Sequence, residues 1–359
     1  MKVWNQLTKM VVCWLLPVAL VACSVIDEDL SNCDRPVPPP TPPGPEEPLA
    51  EVNYDLRLVT NITTELQTEL TTQTDILLAN ALREHLSDIF TDFAHDVDLS
   101  FYDTQGDSSL LQKDKHIMDA SQASYTLNLP MRQYMHLAAA NVVDNEQVVI
   151  GNDIRCHTSM LLQGIRDTID SHETGLFTAR QPMEVLGDVS QHFNVHLYMA
   201  NCAAALVIDP KGYGQMDRIR VFSTGFATGF SICDSVYHYE DKAPFVRTQA
   251  VTIEGATERA YCSVTFPSRE PSPTRTVIET TEPFIAQPGE ASLWEFRVYV
   301  PQADGKITET ILRVREPLRA GQLKIIKVWI GEQGAIVTDD SEVSTSVTLD
   351  WKEGLEIRT

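Results

Sequence analysis

Beyond about residue 50 the apolar side chains recur at every second position. A period of two is a strand period: it buries one face of an extended chain and leaves the other in water. Tyr54, Leu56 and Leu58 alternate with Asp55 and Arg57, Val97, Leu99 and Phe101 with Asp98 and Ser100, and Tyr125, Leu127 and Leu129 with Thr126 and Asn128. Each run reads as a half-buried strand of an antiparallel sheet. One stretch departs from the pattern. Over about 74–90, Leu78, Leu82, Leu86 and Ile89 return at spacings of four and three, which predicts a helix lying across a sheet or its end.

A stretch from Thr174-Gly175 through Gly187-Asp188 interrupts the alternation, which resumes at Val195, Leu197 and Met199. The domain boundary is placed there, giving a first domain at 50–187 and a second at 188–359. The second half repeats the theme in Arg218 to Phe222, Phe245 to Ile253, Tyr261 to Phe266, Trp294 to Val300, Lys306 to Val314 and Leu323 to Ile330. Strands at roughly ten-residue intervals, with turn signals at Asp304-Gly305 and Glu332 to Gly334, predict a β-sandwich. The fold class expected is mostly β, two antiparallel β-sandwiches with one short helix in the first. Trp294, Trp329 and Trp351 are expected to pack in core and edge rather than to form a ligand platform.

The first fifty residues follow a different logic. Lys2 and Lys9 precede an apolar run from Met10 to Ala22, too short to span a bilayer, which reads as a secretory signal over 1–22. It closes on Leu20-Val21-Ala22-Cys23, small residues before a cysteine, the pattern of a bacterial lipobox with Cys23 as the acylated residue. Residues 36–48 hold eight prolines in thirteen positions. They form an extended tether reaching about 40 Å at about 3.1 Å per residue. Segment 23–49 is therefore the acylated cysteine, an acidic lead and a spacer.

Charge and cysteine content narrow the function. The chain carries 28 basic and 50 acidic residues, a net charge of -22, and removing the signal makes it -24. Such a surface repels phosphate backbones, so no nucleic-acid partner is expected, and lipid rather than charge must hold the protein to a membrane. With Cys13 in the signal and Cys23 lipidated, Cys33, Cys156, Cys202, Cys233 and Cys262 remain, an odd number expected to yield one or two disulfides and a buried thiol.

No catalytic chemistry emerges. His192 and His196 stand four apart on an alternating strand, about 13 Å from each other, too far to share an ion. There is no HExxH and no GxSxG, and Gly225 to Gly229 lacks the setting of a phosphate cradle. Asp103-Thr104-Gln105-Gly106-Asp107 lacks the ligand ladder of an EF-hand and reads as a hairpin turn. The expectation is no catalytic residue, no metal, no cofactor and no small-molecule substrate.

An ordered set of motifs carries a resemblance. DEDLSNC from Asp27 to Cys33, the strand Tyr54 to Thr60, HDVDLSFYD from His95, YMHLAAAN from Tyr134, TGLFTARQPMEV from Thr174 and NVHLYMANCAAALVI from Asn194 together resemble the fimbrillin-like anchoring lipoproteins of type V fimbriae in the Bacteroidota. The acidic cluster Asp27, Glu28, Asp29 is similar to the signal that sends lipoproteins of that group to the outer face of the outer membrane. The resemblance implies two transthyretin-like Greek-key sandwiches and attachment of a pilus to the outer membrane with control of its length. It also implies strand exchange with a fimbrial shaft pilin, and Arg57 and Arg83 peptide bonds that stay uncut.

Near the carboxy end Val343, Thr345, Val347, Leu349 and Trp351 share one face of a strand. This strand could be donated to a neighbouring subunit or could close its own sandwich; the alternation is the same in both cases. The leading functional expectation is a structural, non-enzymatic anchor at the cell surface. A glycan-binding surface lipoprotein and a fimbrial tip adhesin are the rival readings.

Overall fold

The computed structural model describes residues 48–59, 73–87, 89, 94, 96–105, 110–117, 124–143, 145–153, 157–187, 190–270, 293–341 and 343–349. Seven strands build the first sandwich. In spatial order they are β3 (Leu110–Ile117), β2 (Asp96–Asp103), β5 (Gln133–Ala140), β9 (Phe177–Glu184), β10 (Gln191–Met199), β1 (Leu49–Val59) and β4 (Ser124–Pro130). The seam between β9 and β10 is only two residue pairs, Tyr198 with Thr178 and Met199 with Phe177. The sheet folds over on itself at that seam. Tyr54 on β1 hydrogen-bonds His136 on β5 although two strands separate them in the sheet, which a flat sheet would forbid.

The alternation is explained by what lies between the two leaves. Val52, Tyr54, Leu56, Leu127, Leu129, Val195 and Leu197 share one core with Val97, Leu99, Phe101, Tyr134 and Ala138. The predicted helix is α1 (Gln73–Ser87), and it lays Leu78, Leu82 and Leu86 on this core, as does Ile89 just beyond its end. Gly175 passes directly beneath Ile89, where any Cβ would strike the Ile89 carbonyl oxygen.

The second sandwich encloses a second core between two further sheets. One carries β16 (Gln249–Thr252), β17 (Arg259–Thr265), β11 (Cys202–Asp209), β20 (Leu323–Ile330) and β21 (Ile336–Val337). The other carries β22 (Val343–Thr348), β19 (Ile307–Val314), β18 (Trp294–Pro301), β12 (Arg220–Thr224), β15 (Phe245–Arg247) and β8 (Thr168–Asp170). A small sheet of β14 (Val236–His238), β13 (Gly229–Ser231), β7 (His157–Leu162) and β6 (Val148–Asp153) covers part of the same core with Val148, Met160, Leu162 and Phe230. Trp294 is its largest fully buried side chain, wedged between Phe226 and Phe296 with its ring N–H donated to the Glu316 carbonyl at 3.0 Å. Trp329 is half-buried, and Trp351 lies outside the described residues.

β11 joins the two cores. Its run Cys-Ala-Ala-Ala-Leu-Val-Ile is apolar without alternation because both faces are buried. Ala203, Ala205 and Val207 belong to the first core, while Cys202, Ala204, Leu206 and Ile208 belong to the second. Each large side chain so buried contributes roughly 1.5–3 kcal/mol. The motif ends meet at a polar corner beside β11. Asn141 donates to the Gly175 carbonyl at 2.9 Å, the Thr174 hydroxyl to the Asn141 carbonyl at 2.8 Å, and Asn201 to the Thr174 carbonyl at 3.0 Å. Asn141 is buried with φ of 63°, a left-handed conformation that Asn tolerates better than most residues.

The chain is thus mostly β, two sandwiches with a single helix among the described residues, and the expected fold class holds. Three features differ from the sequence reading. The sheets are not wholly antiparallel: β1 with β10, β11 with β20 and β15 with β8 run parallel. Strand pairing crosses the boundary set at 187/188, since β10 completes the first sandwich while β8 joins β15 in the second. No disulfide occurs among the described residues. Cys202 and Cys262 are buried free thiols, and alternation sends them into opposite cores, so they cannot pair. Cys33 and Cys156 lie outside the described residues.

Candidate functional site

Two strands hold the residues that sequence reasoning associates with assembly, and they occupy opposite kinds of position. β1 is interior. It pairs in parallel with β10 over eight residues, Val52 to Val59, and antiparallel with β4 over seven, Leu49 to Asp55. Val52 and Tyr54 are fully buried and Leu56 nearly so.

A polar bolt crosses the first core from this strand. The Tyr54 hydroxyl bonds His136 Nε2, and His136 Nδ1 lies 3.1 Å from the Ser100 carbonyl. A neutral imidazole with its proton on Nδ1 satisfies all three groups: it donates to Ser100 and accepts from Tyr54. Burial lowers the His136 pKa to about 4 and holds the Tyr54 hydroxyl well above its ordinary range. Phe101 stacks on the imidazole at 4.5 Å, which fixes the ring. On the outer face His192 meets Asp55 at 2.8 Å, so β10 and β1 are also tied by a partly exposed pair. The Arg57 side chain is exposed near the end of β1, and exposed Arg83 sits on α1 against Asn80 at 3.4 Å.

β22 is an edge. It pairs antiparallel with β19 over six residues, Val343 with Val314 through Thr348 with Glu309. Of the shared face, Val343 is buried, but Thr345 is exposed, Val347 is 41% exposed and Leu349 is 51% exposed. The strand therefore folds onto its own sheet, yet most of the face expected to enter an apolar groove is open to water. Trp351 falls outside the described residues, as do Cys23, Asp27, Glu28 and Asp29.

The remaining candidates resolve simply. His192 and His196 are both exposed on β10, and no group of metal-ligating side chains occurs among the described residues. Asp103 accepts from the Gln105 amide at 2.8 Å and from Arg132 at 2.7 Å, the bonding of a turn residue. Gly225 adopts φ of 101° because it lies against the Trp294 backbone, a packing contact rather than a phosphate cradle.

No family model matches the chain, and no curated protein matches it. Solved structures do. A candidate polysaccharide-binding protein from Bacteroides thetaiotaomicron aligns over 82% of this chain and 97% of its own, at 12% identity and a TM-score of 0.51. The fimbrial anchor protein Mfa2 from Porphyromonas gingivalis aligns over 84% and 99%, at 9% identity and 0.45. A fimbrial assembly protein from Parabacteroides distasonis aligns over 85% and 100%, at 11% identity and 0.38. The likeness to the first of these shows a shared fold and nothing more.

Proposed function

We propose that this chain is a non-enzymatic, lipid-anchored surface subunit of a fimbria, fastening the shaft to the outer membrane and limiting its length. The seated β1 carries this reading. A subunit that accepts a strand from a neighbour must present an open groove. Here the slot between β10 and β4 is filled by the chain's own strand, paired along both edges.

β1 also follows directly on the proline tether of residues 36–48, so tension between a lipid on Cys23 and the folded body would run along this strand. Its ladder hydrogen bonds lie across that pull and must break together rather than one by one. Cleavage after Arg57 would part the lipid-bearing segment from the body, which is why an anchor would keep that bond. The adjacent shaft pilin would meet the open edge at β22, where Val347 and Leu349 stand exposed. Asp27, Glu28 and Asp29 would direct the lipidated chain to the outer face of the membrane.

Replacing Cys23 by Ser in cells that make fimbriae tests the proposal. The variant should leave the membrane fraction and fimbriae should collect in the medium, since lipid supplies the membrane affinity. Fimbriae that remain on cells carrying Cys23→Ser would reject the anchor assignment.

A further inference from the structure

The outer side of the β9–β10 corner faces the β13–β14 hairpin across a cleft of about 410 Å³. That volume lies within the roughly 300–1,000 Å³ of small-ligand sites. Thr178 and Arg180 enter from β9, His196 and Tyr198 from β10, and Phe230 and Tyr237 from the hairpin. All six stand on strands, and the Thr178–Tyr198 pair sets two of them side by side. The far wall is fixed: the Phe230 and Tyr237 rings lie 4.4 Å apart, and the Tyr237 hydroxyl donates to the Ala200 carbonyl at 2.8 Å.

The chemistry of this cleft runs against that of the whole surface. The chain has 50 acidic residues against 28 basic, yet none of the described residues lining the cleft is a carboxylate. Arg180 and His196 are exposed, and neither forms an ion pair among the described residues. Tyr198 is 59% exposed, the only aromatic side chain among the described residues left open to that degree.

An open aromatic ring offers a flat apolar face to the C–H side of a sugar. An uncommitted guanidinium beside it presents a planar fork that fits a carboxylate with two parallel hydrogen bonds. Gln181 and Ser235, also on the lining, add an amide and a hydroxyl for ring hydroxyls. We infer that this cleft binds an acidic sugar, one whose ring carries a carboxylate. A long polyanion is disfavoured because the rest of the protein repels it, whereas a single acidic sugar feels mainly Arg180. None of the cleft's lining residues belongs to β1 or β22, although His196 and Tyr198 pair across the sheet with Arg57 and Val59 of β1, so this adhesive activity would be additional to fimbrial attachment.

The test uses the full chain in detergent and titrates sialyllactose, lactose and 3′-sulfated lactose by calorimetry. Sialyllactose should bind saturably, with lactose and the sulfated sugar each at least about tenfold weaker. Arg180→Gln and Tyr198→Ala should each weaken sialyllactose about tenfold with an unchanged melting point, because both side chains are exposed. The inference is overturned by absent saturation, by lactose or sulfated lactose binding as well as sialyllactose, or by undiminished affinity in both variants. Fimbriae still attached to Arg180→Gln cells would show that loss of sugar binding and loss of anchoring are separate events.

Discussion

β1 and β22 carry nearly the same alternation and serve opposite ends. Val52, Tyr54 and Leu56 match Val343, Thr345 and Val347 in period, yet Val52 and Tyr54 are fully buried while Val347 is 41% exposed. β1 has a partner on each side, β10 and β4; β22 pairs only with β19 among the described residues. A strand bonded on both edges is a fixed part of the fold, and one bonded on a single edge offers a template for another chain. Position in the sheet, not side-chain pattern, separates the strand that holds the molecule together from the strand that can engage another.

The contrast breaks most visibly at Tyr54. Tyr54→Ala removes a fully buried ring and strands His136 without its hydroxyl partner. Large aromatic-to-alanine changes in cores cost about 3–5 kcal/mol, and denaturant unfolding of the purified chain should show a loss of that size. A loss below about 1 kcal/mol would mean that β1 is not the fixed strand described here.

Acid should sharpen the same point. His136 and His172 are buried and neutral, and burial holds their pKa values at about 4 and about 3, below the ordinary 6.5. The unfolded chain takes up these protons near pH 6.5 while the folded chain refuses them, so stability from this source is complete above pH 6.5 and falls as pH drops toward 4. His136→Gln keeps an acceptor for Tyr54 and removes the titration. Its unfolding midpoint should fall less steeply than that of the parent between pH 6.5 and 4. Equal slopes would contradict a neutral imidazole bolting β1 to the opposite leaf.

Much of the fold is legible from local pattern. β1, β2, β4, β10 and α1 follow from periods of two and of about 3.6, because each has one apolar face. β11 does not, because both of its buried faces are apolar, whereas β2, buried at every position too, keeps Asp98 and Ser100 on its second face. The parallel pairing of β1 with β10 is also hidden: it joins Tyr54 to Phe193, and nothing local in either strand specifies a partner so distant in sequence. The cysteine count leaves the pairing open, whereas the two faces of the sheet send Cys202 and Cys262 into different cores and keep them apart. The acidic-sugar cleft left little trace, since Arg180, His196 and Tyr198 look like ordinary solvent-facing positions until the corner sets them together. Tyr198, a large aromatic on the wet side of an alternating strand, was the available signal.

The smallest expected effect on stability gives the most direct test. Val347→Asp combined with Leu349→Asp alters two exposed positions at an edge, and surface changes of this kind usually stay within about 0.5 kcal/mol. The melting point of the purified double variant should therefore move by no more than about 2 °C. In cells the same pair places two charges where an apolar contact with the shaft is proposed, and burying them unpaired costs several kcal/mol. Fimbriae shed into the medium from cells whose anchor melts normally is the result this account predicts. Fimbriae retained by the double variant, or a melting point lowered by many degrees, would contradict it.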